Sequence, residues 1–337
     1  MNPFPRVTRA REGAGAHRRR SSAVMRFRVP SVAVIVLSLA VIAPASGSEL
    51  VQDPNAALLS LRVNAKGEAL LTYRRADGRL RRVLAWGAVN ARPPSAEIPQ
   101  VRFHWDYAGG WGKYRNGKYW STFKDRCRPY DGPSLPMLVA ACTAPNGSYW
   151  TLQAWQRRLP LLGFDPWLPH HTNMELHLAH FSGELPKLEA YPNWTYGGRW
   201  QGLFGRYTYL GQPIYGFGSN AKGVPKDKYG RNLYIDTLNS AYGSGWKRES
   251  GILTHQDTGT FCHSFVPQKP FAGYPTRDVR PPAAGERHRI TVGGPGVLPI
   301  MQVEVPGLTK ADAQRDGEFN ALFDQVMAGD RICASER

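Results

Sequence analysis

The sequence predicts a mainly β protein, an antiparallel β-sandwich or barrel-like architecture with one C-terminal helix packed on it. Three observations carry this. Short runs that alternate apolar and polar residues recur along the chain, separated by Lys-Gly, Asp-Gly and Asn-Gly turn signals. All four cysteines, an even number, follow an export-type leader, the setting in which small β proteins use disulfides. Near the C terminus one stretch places apolar residues at helical spacing.

The leader comes first. Residues 25–47 read as a secretory signal peptide: Arg26 and Arg28 form a basic n-region, Val29–Ala43 an apolar core, and Ala43-Pro44-Ala45 a small-residue cleavage region. The apolar run falls short of the roughly 18–20 residues a spanning helix needs, so no integral membrane span is expected after cleavage. Arg19-Arg20 lacks the apolar-basic continuation of a twin-arginine signal. Cleavage after Ala45 leaves 292 residues, enough for a sizeable core. The first 45 residues hold eight Lys/Arg and one Asp/Glu, which brings the net charge from +17 for the whole chain to +10 for the remainder. That excess suits an anionic envelope polymer, while export argues against nucleic acid. The organisation expected is an N-terminal extension and signal over 1–47, an all-β domain over 48–308 with a candidate internal boundary in the proline-rich 91–99, and a helix with a disulfide-tethered tail over 309–337. A secreted or extracellular, envelope-associated location follows.

The β domain opens with a meander. Leu58–Asn64 alternates, with Leu59, Leu61 and Val63 sharing a face; Lys66-Gly67 turns it into Glu68–Arg75, where Ala69, Leu71 and Tyr73 share one; Asp77-Gly78 turns it into Arg79–Trp86. Arginines 62, 74, 75, 79, 81 and 82 form an outward basic patch. Phe103–Trp120 follows, with seven aromatics in eighteen residues, lysine and arginine interleaved, and glycines that break it into loops. Met137–Trp155 is a hairpin around Pro145-Asn146-Gly147, with Asn-Gly expected in a type I′ turn. Further strands are expected at Met174–Phe181, Lys187–Tyr191, Leu203–Tyr209, Pro213–Phe217, Arg231–Thr237, Trp246–Thr254, Thr260–Val266, Arg287–Val292 and Val297–Val305, with a turn at Leu210-Gly211. Thr309–Asp312 resembles a capping box, Phe319, Leu322, Phe323, Val326 and Met327 form one stripe, and Gly329 suits the C′ position. Of the three disulfide connectivities, Cys127–Cys142 closes a short local loop and Cys262–Cys333 ties the tail to the last major strand region, so these are expected.

For function, the aromatic segment is the strongest candidate. Trp and Tyr rings cover the C–H faces of sugars, and adjacent cations pair with acidic groups. Trp105, Trp111, Lys113, Tyr114, Arg115, Tyr119 and Trp120 are therefore the expected ligand-binding residues. No cofactor and no metal site is expected. His170, His171, Glu175, His177 and His180 cluster in sequence but match no metal signature, and His180 falls on an apolar face. No catalytic set stands out: there is no G-x-S-x-G, and Asp165, Glu175, Glu184, Asp236 and Glu249 are carboxylates without a readable pairing. The expected function is a secreted binding protein for polysaccharide or another envelope polymer. The alternatives are a polysaccharide hydrolase of glycoside hydrolase type using a carboxylate pair, and a structural envelope protein with no small-molecule ligand.

Overall fold

The computed structural model describes residues 45–46, 49–87, 89, 103–115, 117–157, 173–213, 218–219, 231–255, 258–267, 284–293, 298–308 and 313–333. Among them the strands are, in order, β1 (Ala45–Ser46), β2 (Glu49–Leu50), β3 (Ala57–Val63), β4 (Ala69–Arg74), β5 (Leu80–Trp86), β6 (His104–Asp106), β7 (Leu138–Thr143), β8 (Tyr149–Trp155) and β9 (Glu175–Phe181). There follow β10 (Lys187–Thr195), β11 (Trp200–Tyr209), β12 (Gln212–Pro213), β13 (Gly218–Ser219), β14 (Asn232–Ser240), β15 (Gly243–Leu253), β16 (Thr260–Ser264), β17 (Arg287–Val292) and β18 (Met301–Pro306). The helices are α1 (Trp111–Tyr114), α2 (Tyr119–Thr122) and α3 (Ala313–Val326). The signal segment over residues 25–44, the 91–99 link, His170, His171, Asp165 and Thr309–Asp312 lie outside the described residues.

Hairpin chemistry fixes the register. Three loops use one solution: Ala65-Lys66-Gly67, Ala76-Asp77-Gly78 and Pro145-Asn146-Gly147 each end on a glycine with φ of 73°, 81° and 82°. In each, the residue before the loop donates its N–H to the residue after it, as Ala144 does to Ser148 O at 2.8 Å, and the glycine donates back across the turn. This is a three-residue loop, a tight turn followed by a left-handed residue. It corrects the type I′ expectation at Asn146-Gly147, where only the glycine is left-handed. A two-residue turn with both φ positive occurs instead at Leu210-Gly211, φ 52° and 72°, between Tyr209 and its partner Gln212.

Four antiparallel four-stranded sheets result: the meander sheet β3-β4-β5-β6, the central sheet β2-β9-β8-β7, the helix-backed sheet β10-β11-β12 with β16 also on β11, and a fourth sheet β15-β14-β17-β18; β1 pairs with β13. The meander and central sheets close on a core of Val63, Leu71, Tyr73, Val83, Trp150, Leu152, Leu176 and Leu178. The helix-backed and fourth sheets close on a second, with Leu203, Tyr207, Phe261, Leu233, Ile235, Ile290 and Val292. Ala179 and Phe181 of β9 join that second core, so the central sheet is apolar on one face and joins another layer through the other. Every residue of β9 is buried. A bulge between Leu58 and Ser60 corrects the expected face of β3: Leu58 packs inward with Leu61, and Leu59 is 52% exposed.

The outer faces of two sheets are covered by short chain segments. On the helix-backed sheet, Phe323, Val326 and Met327 of α3 and its tail pack on Phe204 and Tyr191. Gly329 follows with φ 84°, as a C′ residue does. Cys333 bonds to Cys262 on β16, and Cys127 bonds to Cys142 on β7, the connectivity expected from sequence. No described helix is long and apolar enough to cross a membrane.

Candidate functional site

The aromatic segment covers the outer face of the meander sheet. The segment read as glycine-broken loops contains β6 and two four-residue helices, α1 and α2. Asp106 organises the entry: its carboxylate accepts N–H bonds from Ala108 at 2.8 Å, Gly112 at 2.7 Å and Lys113 at 3.2 Å. Gly110, at φ 102°, leaves room for the Tyr119 ring, which any Cβ there would strike. Leu70, Leu84 and Phe123 form the buried floor, with Trp86, Tyr114, Tyr119 and Trp120 packed around it.

One carboxylate ties the cover down. Glu68, 4% exposed at the start of the β4 arm, accepts hydrogen bonds from Lys113 Nζ at 2.5 Å, from the Tyr114 hydroxyl, from the Tyr119 hydroxyl at 3.1 Å and from Asn64 Nδ2 at 2.8 Å. Burial works against its charge, but the bonds from Lys113, Tyr114 and Asn64 and the lysine's charge outweigh it, so the carboxyl lies below the usual carboxylate range. Burial and the Glu68 carboxylate in turn hold the Tyr114 phenol protonated. Tyr114 and Tyr119 stack at 4.2 Å.

Cations occupy the ring faces of this lobe. Arg82 lies 3.9 Å over Trp120, Lys113 4.2 Å over Trp86, Lys66 5.0 Å over Tyr114 and Arg62 5.4 Å over Phe123. Trp111 is the ring left open, at 55% exposure, and Arg115 and Lys118 are exposed beside it in sequence. Six of the seven expected ligand residues thus belong to one cover. Trp105 does not: its register opposite Ala85 sends it to the inner face, against Phe103, while neighbouring His104 stacks on Trp86 outside. Of the outward arginines, 62 and 82 serve the lobe, whereas Arg75 and Arg81 pair with Asp53.

The histidine and carboxylate candidates fall elsewhere. His180 stacks on Trp150 at 3.9 Å, and its two nitrogens meet Ser148 Oγ at 2.8 Å and Gly87 O at 2.9 Å, a satisfied core residue. Glu175 pairs with Arg157 at 2.8 Å. Asp236 is fully buried between Arg248 at 2.5 Å and Arg289 at 2.9 Å, and Glu249 faces His263 at 3.6 Å. Glu184 is exposed. His255, Asp330 and Cys333 gather within 4.8 Å, but the sulfur is spent in a disulfide and Asp330 is filled by Thr258, Thr260 and His255, which makes this a clamp on the tail.

Glu68 was not legible as a site residue. A lone glutamate after a Lys-Gly turn looks like any solvated strand end, and the partners that bury it arrive 45 and more residues later. Comparison with known proteins finds no matching family model, no matching curated protein and no matching solved structure.

Proposed function

We propose that the protein is an exported binding protein whose ligand is an anionic envelope polymer, such as an acidic polysaccharide, and that the contact surface is the cover of the meander sheet. The observation that carries this reading is the pairing of ring faces with cations around a single open tryptophan. Neutral sugars need bare aromatic faces, and here most are already roofed by Lys or Arg. An anionic chain would instead find a row of positive groups on a rigid frame, with Trp111 free to cover one ring. Two disulfides suit the oxidising compartment that export implies. The arginine-bound state of Glu175 and Asp236 lends no weight to a carboxylate-pair hydrolase.

The test is co-sedimentation of the purified chain with cell walls and with insoluble acidic and neutral polysaccharides, with released sugar assayed in the supernatant. Depletion by acidic polymers, weakened by salt and by Trp111→Ala or Arg115→Glu/Lys118→Glu, is the expected result. Released sugar would make the protein a hydrolase. Absence of depletion across the panel would refute the binding reading.

A further inference from the structure

Two segments far apart in sequence meet to build one cluster of metal-type donors. Between β15 and β16, His255 donates its N–H to Thr260 O at 2.8 Å and its carbonyl accepts from Gly259 N–H at 2.9 Å. After α3, Gly329 turns the chain at φ 84°, and Asp330 N–H donates to Met327 O at 2.8 Å. One donor atom each of His255, Asp330 and Cys333 then lie within 4.8 Å of one another, a trio without a second example among the described residues. Cys262 of β16 brings a fourth donor, because its sulfur is bonded to that of Cys333.

Two sulfurs, one imidazole nitrogen and one carboxylate oxygen are donors that zinc-type ions take in tetrahedral array, at about 2.3 Å to sulfur and about 2.0–2.2 Å to nitrogen and oxygen. Those lengths put neighbouring donors roughly 3.3–3.8 Å apart, so donors already within 4.8 Å need little movement and the ion sits among them without a cavity. Joined to each other, the sulfurs bind no metal. Every chain is made with its cysteines as thiols, however, and thiolates are soft, strong ligands. The other two donors are already paired. Asp330 Oδ2 accepts from His255 Nδ1 and from the Thr258 and Thr260 hydroxyls, and Oδ1 accepts the N–H groups of Ile332 and Cys333. Burial works against the charge on Asp330, but the bonds from Thr260, His255, Cys333 and Thr258 hold its carboxyl well below the usual range, so it is an anion. A divalent ion can replace the proton between Asp330 and His255 Nδ1, that proton passing to Nε2 while the hydroxyls rotate away. Entry is from the histidine: its side chain is 23% exposed, whereas Asp330 and Cys333 are buried.

We propose that, with Cys262 and Cys333 as thiols, the side chains of His255, Cys262, Asp330 and Cys333 bind a divalent zinc-type ion, which pins the tail to the β15–β16 hairpin before the disulfide does. Binding replaces two S–H bonds by two sulfur–metal bonds and releases both protons to solvent. Disulfide closure by exchange with an external disulfide passes two electrons to that oxidant, which leaves as two thiols, and expels the ion. The site does not rest on the polymer reading of the meander-sheet face.

The test is anaerobic titration of the full chain, reduced with a phosphine, with cobalt(II) as the spectroscopic probe and zinc as competitor. One equivalent of cobalt should give a thiolate-to-cobalt charge-transfer band that zinc abolishes. The band should be absent from the oxidised chain and from reduced Cys262→Ser/Cys333→Ser. Affinity should fall at least tenfold in His255→Phe and in Asp330→Asn. No band from the reduced chain, an equal band in Cys262→Ser/Cys333→Ser, or an affinity unchanged in either single variant overturns the proposal. Should reduction unfold the chain, one equivalent of zinc is expected to restore the protease resistance of α3, and a reduced chain that zinc leaves unfolded refutes the site.

Discussion

Two sheets of this molecule face the same problem and solve it differently. The meander sheet and the helix-backed sheet each have a second face that a short segment must close, and each segment is anchored by one buried carboxylate. On the meander sheet Glu68 gathers Asn64, Lys113, Tyr114 and Tyr119, and two four-residue helices follow from it. On the helix-backed sheet Asp330 gathers Thr258, Thr260, His255 and the N–H groups of Ile332 and Cys333, beside a fourteen-residue helix and a disulfide. The difference is one of purpose in the physical sense. Helices of one turn cannot hold themselves together, so the first cover depends on side-chain chemistry and can display an open ring. The second is locked covalently and presents an apolar stripe inward.

The largest effect that separates the two should come from the covalent lock. Cys262 and Cys333 are 71 residues apart, and Cys262→Ser/Cys333→Ser should cost about 4 kcal/mol on the loop-entropy scale, against about 3 kcal/mol for the loop of 15 closed by Cys127–Cys142. Urea unfolding of both double variants measures this; equal losses would mean that the tail clamp holds without its disulfide.

Acid should act on the whole molecule rather than on one cover. His177 and His288 are buried and neutral, each pushed down to about 3, by burial and then by Arg157 and His263 respectively. Their unfolded-state value is near 6.5, so the unfolded chain takes up more protons below it, and stability should fall by about 1.4 kcal/mol per pH unit per histidine as pH drops from 6.5. Glu68 and Asp330 add to this at lower pH. Their folded values are depressed, so their contribution is full above the unfolded carboxylate range and is lost as pH falls through the folded one. Urea midpoints from pH 8 to pH 4 should decline, and the His288→Phe variant should show a shallower slope.

Glu68→Ala should cost about 2–3 kcal/mol, because Lys113 and two tyrosines lose their acceptor in a mostly buried setting. Limited proteolysis should then cut within residues 107–122 while α3 stays protected. If both covers loosen together, they are not independent. The smallest expected effect is Trp111→Ala, neutral for stability and about tenfold weaker for an acidic polymer, roughly 1.4 kcal/mol.

Much of the fold was legible because it is local. Period-two alternation located β3, β4 and β5 to within a residue, the strand expected at Arg287–Val292 is β17, and the cysteine spacing led to the correct pairing. The misreadings were of two kinds. Leu58 and Leu59 exchanged faces because a bulge adds a residue without any glycine to announce it, and Asn146-Gly147 sits in a longer loop because Pro145 suits the second position of an ordinary tight turn. The other kind is non-local. In the β9 sequence Leu176 and Leu178 alternate with Glu175 and His177, but such a pattern normally means one wet face, and nothing in the segment reveals that both faces are covered. The inward placement of Trp105 was hidden for the same reason, since its face depends on how β6 pairs with β5.

That doubly covered central sheet is a party wall. Its strands β8 and β9 face the first core on one side and, through Tyr149, Ala179 and Phe181, the second core on the other, so a cut between them would leave each sandwich with half a partition. Neither sandwich is then a transplantable module. The slowest-exchanging amides of the molecule should lie in β8 and β9, and the two sandwiches should melt in one transition.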